Sequence, residues 1–429
     1  MKSEFVKETA SVAVPQALQS LIQNSFGVID QVMIGQLGTS AIAAVGFASK
    51  YISIFTTVLN AAAAGLGIFC AQYAGRSDHT RTASLTRTVA FVSLCACLLV
   101  GAASCLLPVM DLYTRDVSSL AGSYLHIGIW GLLWTALTSL LSVVLRCYGF
   151  TKEPFYASAA GIFLNTVFNW FFIFVLDQGI AGAAWATVLT QAISALLVLW
   201  FCAMKMKWIY VPAAAQKLTG LLKVLLPLVL ADFFWSAGEN VYVMVYGHTT
   251  LDASAAMTMT LPVQSLVIGL LSGFSTAAGI IVGKDLGRND RTLALSHARS
   301  LMKLSAAGSL VLFGLLLAVS PFYVQIYSVS AQVRSLCIGL LAAFGLMSFV
   351  KVQNMVLGGG ILRAGGHTGV LLGVDLVGTW AAGVPLAFAG LHLFGPNIVA
   401  IYLLLSQEEV LRYILCLIIY KKRNWMTCL

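Results

Sequence analysis

The chain has 429 residues, of which 59% are hydrophobic and only 10% are charged. Water-soluble domains carry roughly 25% charged residues, so this composition excludes an ordinary soluble fold. Inside lipid, only helices and closed barrels satisfy every backbone polar group. The apolar runs are long and show no period of two, so we predict an all-α integral membrane protein. The nine cysteines form no CxxC pair or metal-ligand spacing, and we expect no cofactor.

Twelve apolar stretches emerge when the sequence is divided at charges, prolines and glycine clusters. About 20 apolar residues are needed to cross the hydrocarbon core of a bilayer. The sequence therefore predicts twelve transmembrane helices, numbered one to twelve. Their expected ranges are 11–35, 42–72, 84–110, 121–145, 156–176, 181–204, 224–247, 254–282, 303–325, 335–362, 369–394 and 397–420.

Lysine and arginine are distributed unevenly over the connections between these helices. Most of the 25 basic residues fall on alternate connections, together with both chain ends. Cytoplasmic loops of membrane proteins are enriched in Lys and Arg. We therefore expect a multi-pass protein of the plasma (inner) membrane with both termini in the cytoplasm. This bias also explains the net charge of +9 without a nucleic-acid partner.

The sequence contains an internal repeat. Residues 41–80 match 253–292, 145–151 match 362–368, and Asn165…Trp170 matches Asp375…Trp380. Each half holds six helices, an even number, so the two halves have the same orientation in the membrane. Repeats of this kind are typical of alternating-access transporters, with the substrate path between the halves. We predict an N-terminal lobe at 1–204, a cytoplasmic linker at 205–223 and a C-terminal lobe at 224–429.

Several motifs in this order resemble the multidrug and toxic compound extrusion (MATE) family over essentially the full chain. They are Pro15 followed by VIDQVMIGQLGTSAIAAVG, then LNTVFNWFFIF…GAAWATVLTQ, AAMTMTLPVQSLVIGLLSGFSTAAGIIVGKDLGRND and GGGILRAGGHT…VDLVGTW…GVPLAF. The resemblance implies a twelve-helix, two-lobed antiporter that exports organic cations or amphipathic drugs in exchange for H+ or Na+. It is closest to the prokaryotic branch with a cation site in the N-terminal lobe. A flippase for a lipid-linked precursor, from the same fold superfamily, is the alternative.

Four polar residues of the first lobe fall at a similar depth in the predicted membrane. Asp30 lies on helix one, Asn165 and Asn169 lie one turn apart on helix five, and Thr187 lies on helix six. An ionisable group inside a membrane is costly and therefore marks a candidate functional site. Carboxylate, amide and hydroxyl oxygens suit a hard cation such as Na+, and a carboxyl group in a low dielectric also suits proton uptake. The alternatives are helix–helix hydrogen bonds for Asp30 and the asparagines and a bond within its own helix for Thr187.

In the family pattern, these four positions are a carboxylate, an asparagine, a second carboxylate and a threonine. Asp30, Asn165 and Thr187 match this pattern, whereas Asn169 replaces the second carboxylate. Because the number of charges tunes the affinity for hard cations, we favour protonation at Asp30, with Na+ kept open. His367 also stands where the family motif has an aspartate, and the sequence offers no reason for this change.

The second lobe also contains ionisable residues within its predicted helices. Lys351 lies on helix ten, and Arg412 follows Glu408 by one helical turn, a spacing that favours an ion pair. The acids could bind the coupling ion, bind a cationic drug or pair with Lys351. The candidate acids of the second lobe are Asp232, Glu239, Asp375, Glu408 and Glu409.

No nucleotide-binding GxxxxGK[ST] motif or catalytic arrangement occurs in the sequence, so we do not expect an enzyme. The expected partners are a small organic cation as substrate and the lipid bilayer, with no nucleic acid. We expect a monomer.

Overall fold

A computed structural model describes residues 2–106, 115–207, 218–327 and 329–428. The side chains of residues 2–4, 25–32, 39, 105–106, 115–118 and 218–219 lie outside this description. Within the described residues, the regular secondary structure is helical and contains no strand. The all-α prediction is therefore confirmed.

The first half of the chain forms six helical elements, α1 to α6. Two of them change geometry along their length. Element α4 consists of two pieces that bend by 43°, and α5 ends in a π-helix. The bounds are Lys2–Gly35 for α1, Thr39–Gly75 for α2, His79–Leu106 for α3, Arg115–Gly128 and Gly131–Cys147 for α4, Lys152–Asn169 with the π-helix Trp170–Val175 for α5, and Gly179–Lys205 for α6.

The second half forms six further elements, α7 to α12, and three of these are also interrupted. The bounds are Leu218–Gly247 for α7, Leu251–Gly287 for α8 and Arg291–Tyr323 for α9. They continue with Ala331–Asn354 and the π-helix Met355–Leu362 for α10, then Thr368–Leu376, the π-helix Val377–Gly383 and Val384–Phe394 for α11, and Ile398–Leu405 and Gln407–Lys422 for α12. This layout agrees with the twelve predicted helices.

Nine of the helices in the described residues are long and apolar enough to cross a membrane, and the bent pair in α4 makes a tenth. The other two elements are α1, whose described side chains are interrupted at 25–32, and α12, which is broken at Ser406 and carries charged residues. Large apolar side chains such as Phe163 and Val311 are 63% and 71% exposed. Because such surfaces need lipid around them, the chain is a multi-pass membrane protein.

The sequence repeat corresponds to repeated local structure. Ser77 and Asn289 precede the third helix of each half, and both adopt a left-handed backbone conformation, with φ of 58° and 60°. The next residues, Asp78 and Asp290, each accept a hydrogen bond from the backbone amide three residues ahead, at 3.0 and 2.9 Å. A carboxylate in this position caps a helix N-terminus. Both halves thus make the same turn, and an aspartate caps the helix that follows it.

A second turn is also repeated. Gly149 and Gly366 lie in the turns that follow α4 and α10, with φ of 89° and 77°. Positive φ values favour glycine because it has no Cβ. The asparagine and aspartate that match in sequence, Asn165 and Asp375, each precede a π-helical segment.

The chain divides into two compact units. The N-unit comprises residues 18–225, and the C-unit comprises residues 1–17 and 226–429. The first part of α1 therefore belongs to the C-unit, and the first turns of α7 belong to the N-unit. Most of the predicted linker, 208–217, lies outside the described residues.

Candidate functional site

In the N-unit, two asparagines and a threonine form a continuous hydrogen-bonded chain. Asn169 donates from Nδ2 to Oδ1 of Asn165 at 3.2 Å, and Asn165 donates from Nδ2 to Oγ1 of Thr190 at 3.3 Å. The Thr190 hydroxyl donates a hydrogen bond to the Ala186 carbonyl at 2.8 Å. Asn169 is completely buried. The helical spacing placed the two asparagines together, but Thr190 was not among the predicted residues.

The other two predicted residues of the first lobe, Thr187 and Asp30, are not part of this described hydrogen-bonded chain. Thr187 donates its hydroxyl hydrogen to the Ala183 carbonyl at 3.0 Å, a bond within its own helix. Its oxygen can still accept a hydrogen bond or bind a cation. Asp30 belongs to α1, but its side chain lies outside the described residues. The role of both residues in a coupling site stays a prediction.

In the C-unit, the five predicted acids surround a set of basic and polar side chains from α7, α10, α11 and α12. We call Asp232, Glu239, Asp375, Glu408 and Glu409 the carboxyl cluster. Three bases lie among these acids: Lys351 and Arg363 on α10 or at its end, and Arg412 on α12.

Two of the carboxylates have basic partners within salt-bridge distance. Arg363 binds Asp232, with 3.2 Å between Nη2 and Oδ1. Lys351 Nζ lies 4.0 Å from Oε1 of Glu409. Asn354 also holds Glu409, because its Nδ2 lies 2.6 Å from the main-chain oxygen and 2.8 Å from Oε2. Glu409 is thereby fixed from two sides.

Glu408 is held by a different helix. The Tyr242 hydroxyl of α7 donates a hydrogen bond to Oε2 of Glu408, which is only 2% exposed. Arg412 donates from Nη2 to the hydroxyl of Thr379. Within the described residues, the Arg412 guanidinium is not within salt-bridge distance of Glu408, although the two side chains lie within electrostatic range of each other. Arg412 instead reaches across to α11.

Two glycines of α11 make these contacts possible. A Cβ on Gly378 would collide with the Arg412 side chain, and a Cβ on Gly383 would collide with Tyr242 and Glu408. Both glycines lie in the π-helical segment of α11. Close packing at glycine therefore lets three helices bring their polar groups together.

Glu239 and Asp375 are the less restrained acids. Neither has a hydrogen bond or an ion pair with any other described residue. Glu239 is nevertheless within electrostatic range of Lys351 and Glu408, and Asp375 is within range of Arg412. The cluster thus has five carboxyl groups and three basic side chains. Since buried like charges repel one another, the surplus favours uptake of a proton or a cation.

No group of three or more His, Cys, Asp or Glu side chains in the described ranges is arranged to hold a metal ion. Tyr242, Asn354 and Thr379 were not predicted from the sequence. Their only sequence signal is their position near the acids and near the glycines of α11.

Known proteins resemble this chain over most of its length. A family model described as MatE matches residues 15–171 and 227–389. The probable multidrug resistance protein NorM of Thermotoga maritima is 22% identical over 438 residues, which cover 98% of this chain and 93% of that protein. The multidrug resistance protein NorM of Burkholderia vietnamiensis is 26% identical over 412 residues, with coverage of 90% and 87%.

Among solved structures, a mutant form of the Vibrio cholerae MATE transporter VcmN matches with a TM-score of 0.90 and 18% sequence identity. The match covers 99% of each chain. At this identity, the similarity shows the fold alone. Because the family model spans more than half of the chain, the resemblance indicated by the motifs is confirmed, and the chain belongs to the MATE family of transporters.

Proposed function

We propose that the chain is a secondary active antiporter that exports organic cations or amphipathic drugs in exchange for H+ or Na+. The observation that carries this proposal is the surplus of acids in the carboxyl cluster, five against three bases, inside the spans of a MATE-family protein. Membrane-embedded acids are retained where they bind or move charge. The curated relatives named above as multidrug resistance proteins support the same substrate class.

Coupling is proposed to occur in the N-unit, at Asp30 with Asn165, Asn169 and Thr187. The hydrogen-bonded chain of Asn169, Asn165 and Thr190 supports this role, since it aligns amide and hydroxyl groups inside the lobe. It supplies no second carboxylate, so proton uptake at Asp30 is favoured over Na+. Protonation would favour one state of the lobes and the cargo would favour the other, because coupling requires different affinities for the two states.

The carboxyl cluster of the C-unit is proposed to compensate the positive charge of the cargo. Its less restrained acids, Glu239 and Asp375, are available for this purpose, whereas Asp232 and Glu409 are held by bases. The protein is further proposed to work as a monomer in the plasma (inner) membrane, with both termini in the cytoplasm.

Efflux of a fluorescent organic cation from proteoliposomes tests the function. Wild type is compared with Asp30→Asn under an imposed pH gradient or an imposed Na+ gradient. Asp177→Asn is the matched control, because Asp177 is exposed and the substitution is chemically the same. We expect the pH gradient to drive efflux in wild type and in the control, but not in Asp30→Asn.

Two results would contradict this function. If Asp30→Asn shows the same gradient-driven efflux as wild type, Asp30 is not required for coupling. Absence of efflux by wild type under either gradient would contradict drug export. Transport of a lipid-linked pyrophosphate would then be tested, although each base of the carboxyl cluster already lies beside acids.

A further inference from the structure

The first half of α1 packs on the C-unit through a buried face. Thr9, Val12 and Ala13 are 1%, 5% and 7% exposed. The Ala13 carbonyl lies so close to Gly273 of α8 that a Cβ on this glycine would collide with it. The helix start is therefore seated against α8, backbone to backbone.

A histidine and an aspartate lie at the end of this contact. His297 of α9 and Asp285 of α8 are 2.7 Å apart, measured from Nδ1 to Oδ2. The Phe5 ring of α1 stacks on the His297 ring, with 4.7 Å between centroids and 21° between planes. The Asp285 side chain is 3% exposed and that of His297 is 19% exposed. Phe5 thus covers an almost buried ionisable pair.

The two halves of the chain differ at these positions. In the repeat that aligns 41–80 with 253–292, Gly273 corresponds to Ala61 and Asp285 corresponds to Tyr73. Extending the same alignment places His297 opposite Leu85. Tyr73 and Leu85 are 5% and 2% exposed, so the N-unit fills the same places with ordinary core residues. Beneath the start of α1, the second half therefore has an ionisable pair where the first half has a tyrosine and a leucine.

We propose that the Asp285–His297 pair, covered by Phe5, is a pH-sensitive anchor that positions the first half of α1 on the C-unit. Histidine is the side chain whose charge ordinarily changes between pH 5 and 8. Protonated His297 forms a charge-assisted bond with Asp285, which is stronger than a neutral one, and its cationic ring also attracts the face of Phe5. Acidification therefore tightens the contact, and alkaline pH loosens it.

Other charged groups face this anchor. Glu8 of α1 and Arg288 at the end of α8 lie within electrostatic range of Asp285, and Asp290 lies within range of His297. The anchor itself does not depend on the proposed function.

Hydrogen exchange of the purified full-length protein tests the anchor. The amides of residues 5–14 and 16–17 are followed by mass spectrometry at pH 6 and pH 8, after correction for intrinsic exchange rates. In wild type, we expect protection to be several-fold higher at pH 6. His297→Leu, which introduces the N-unit residue, should accelerate exchange about tenfold and abolish the pH dependence. His248→Leu is the control, because His248 is exposed at the end of α7.

A conservative substitution separates a positioning role from a purely structural one. His297→Gln can still donate a hydrogen bond to Asp285 but does not titrate. It should retain the wild-type protection at pH 8 and lose the additional protection at pH 6. Phe5→Ala removes only the stacking ring and should also accelerate exchange.

Protection that is equal at both pH values in wild type would overturn the proposal. Unchanged protection in folded Phe5→Ala would overturn it as well. This second test remains valid if His297→Leu fails to fold. Since hydrogen exchange needs no cargo, these results are independent of whether the protein exports drugs.

Discussion

Arg146 and Arg363 occupy the same position in the two repeats, yet Arg146 binds an amide and Arg363 binds a carboxylate. Arg146 Nη2 lies 2.8 Å from Oε1 of Gln19, and Gln19 donates in turn to Ser158 at 2.7 Å. Arg363 Nη2 lies 3.2 Å from Asp232. Gln19 is 9% exposed, whereas the Asp232 side chain is 29% exposed. The pair of Arg146 with the uncharged Gln19 is therefore the better shielded of the two.

This difference predicts an unusual order of stabilities. Gln19→Ala should lower the free energy of unfolding by about 2 kcal/mol, because it leaves a poorly solvated guanidinium without its acceptor. Asp232→Ala should cost about 1 kcal/mol or less, because its ion pair is partly screened by solvent. Denaturant unfolding in detergent measures both, with exposed Gln407→Ala as the control. A larger loss in Asp232→Ala would contradict the ranking.

Gly383 and Gly373 provide a matched pair on α11. Gly383→Ala should separate Tyr242 from Glu408, since the added Cβ collides with both. Gly373→Ala meets nothing within 4 Å and should behave as wild type. We expect gradient-driven efflux to fall at least tenfold in Gly383→Ala (about 1.4 kcal/mol in barrier height). Wild-type efflux by folded Gly383→Ala would show that the Tyr242–Glu408 contact is dispensable.

The hydrogen bond between Tyr242 and Glu408 can be measured by a double-mutant cycle. Tyr242→Phe removes the donor to a buried carboxyl group and should cost about 1–3 kcal/mol in unfolding free energy. Glu408→Gln keeps the shape and removes the charge. If the two residues act together, the double mutant should be more stable than the sum of the single changes predicts, with a coupling of about 1 kcal/mol. Strict additivity would contradict a direct interaction.

The fold could be predicted from the sequence because membrane helices produce long apolar runs and because the chain repeats itself. The ends of the helices were less predictable. Helix three was expected at 84–110, but α3 begins at His79, since the capping carboxylate of Asp78 lets the helix extend past its first charged turn. Predicted residues 107–110 lie outside the described part of the chain.

The polar contacts were only partly predictable. Thr187 was predicted as a site residue from its expected depth in the membrane. The hydrogen bond from Asn165 goes instead to Thr190, one turn further along the same helix. Depth alone does not give the rotation of a helix about its axis. The spacing of one helical turn favoured an ion pair between Arg412 and Glu408. In the structure, Arg412 donates a hydrogen bond to Thr379, which lies beside a glycine in the π-helical segment of α11. Such a contact depends on helix packing, which a single sequence does not encode in its spacing.

Asn169 offers the sharpest test of the coupling ion. Asn169→Asp restores the second carboxylate of the family pattern in a fully buried position beside Asn165. An added negative charge raises the affinity of an oxygen site for a hard cation. Saturating Na+ should therefore raise the thermal midpoint of Asn169→Asp by about 3 °C, because a ligand that binds only the folded state stabilises it. Wild type should not respond.

Two controls make the result specific to this site. Asn240→Asp places the same change on an exposed residue of α7 and should give no Na+ response. Adding Asp30→Asn to Asn169→Asp should abolish the response if both carboxylates bind the ion. A wild-type response as large as that of Asn169→Asp would contradict proton coupling at a single carboxyl group and favour Na+. If folded Asn169→Asp does not respond, the missing charge does not determine the choice of ion, and α1 and α5 do not form one cation site.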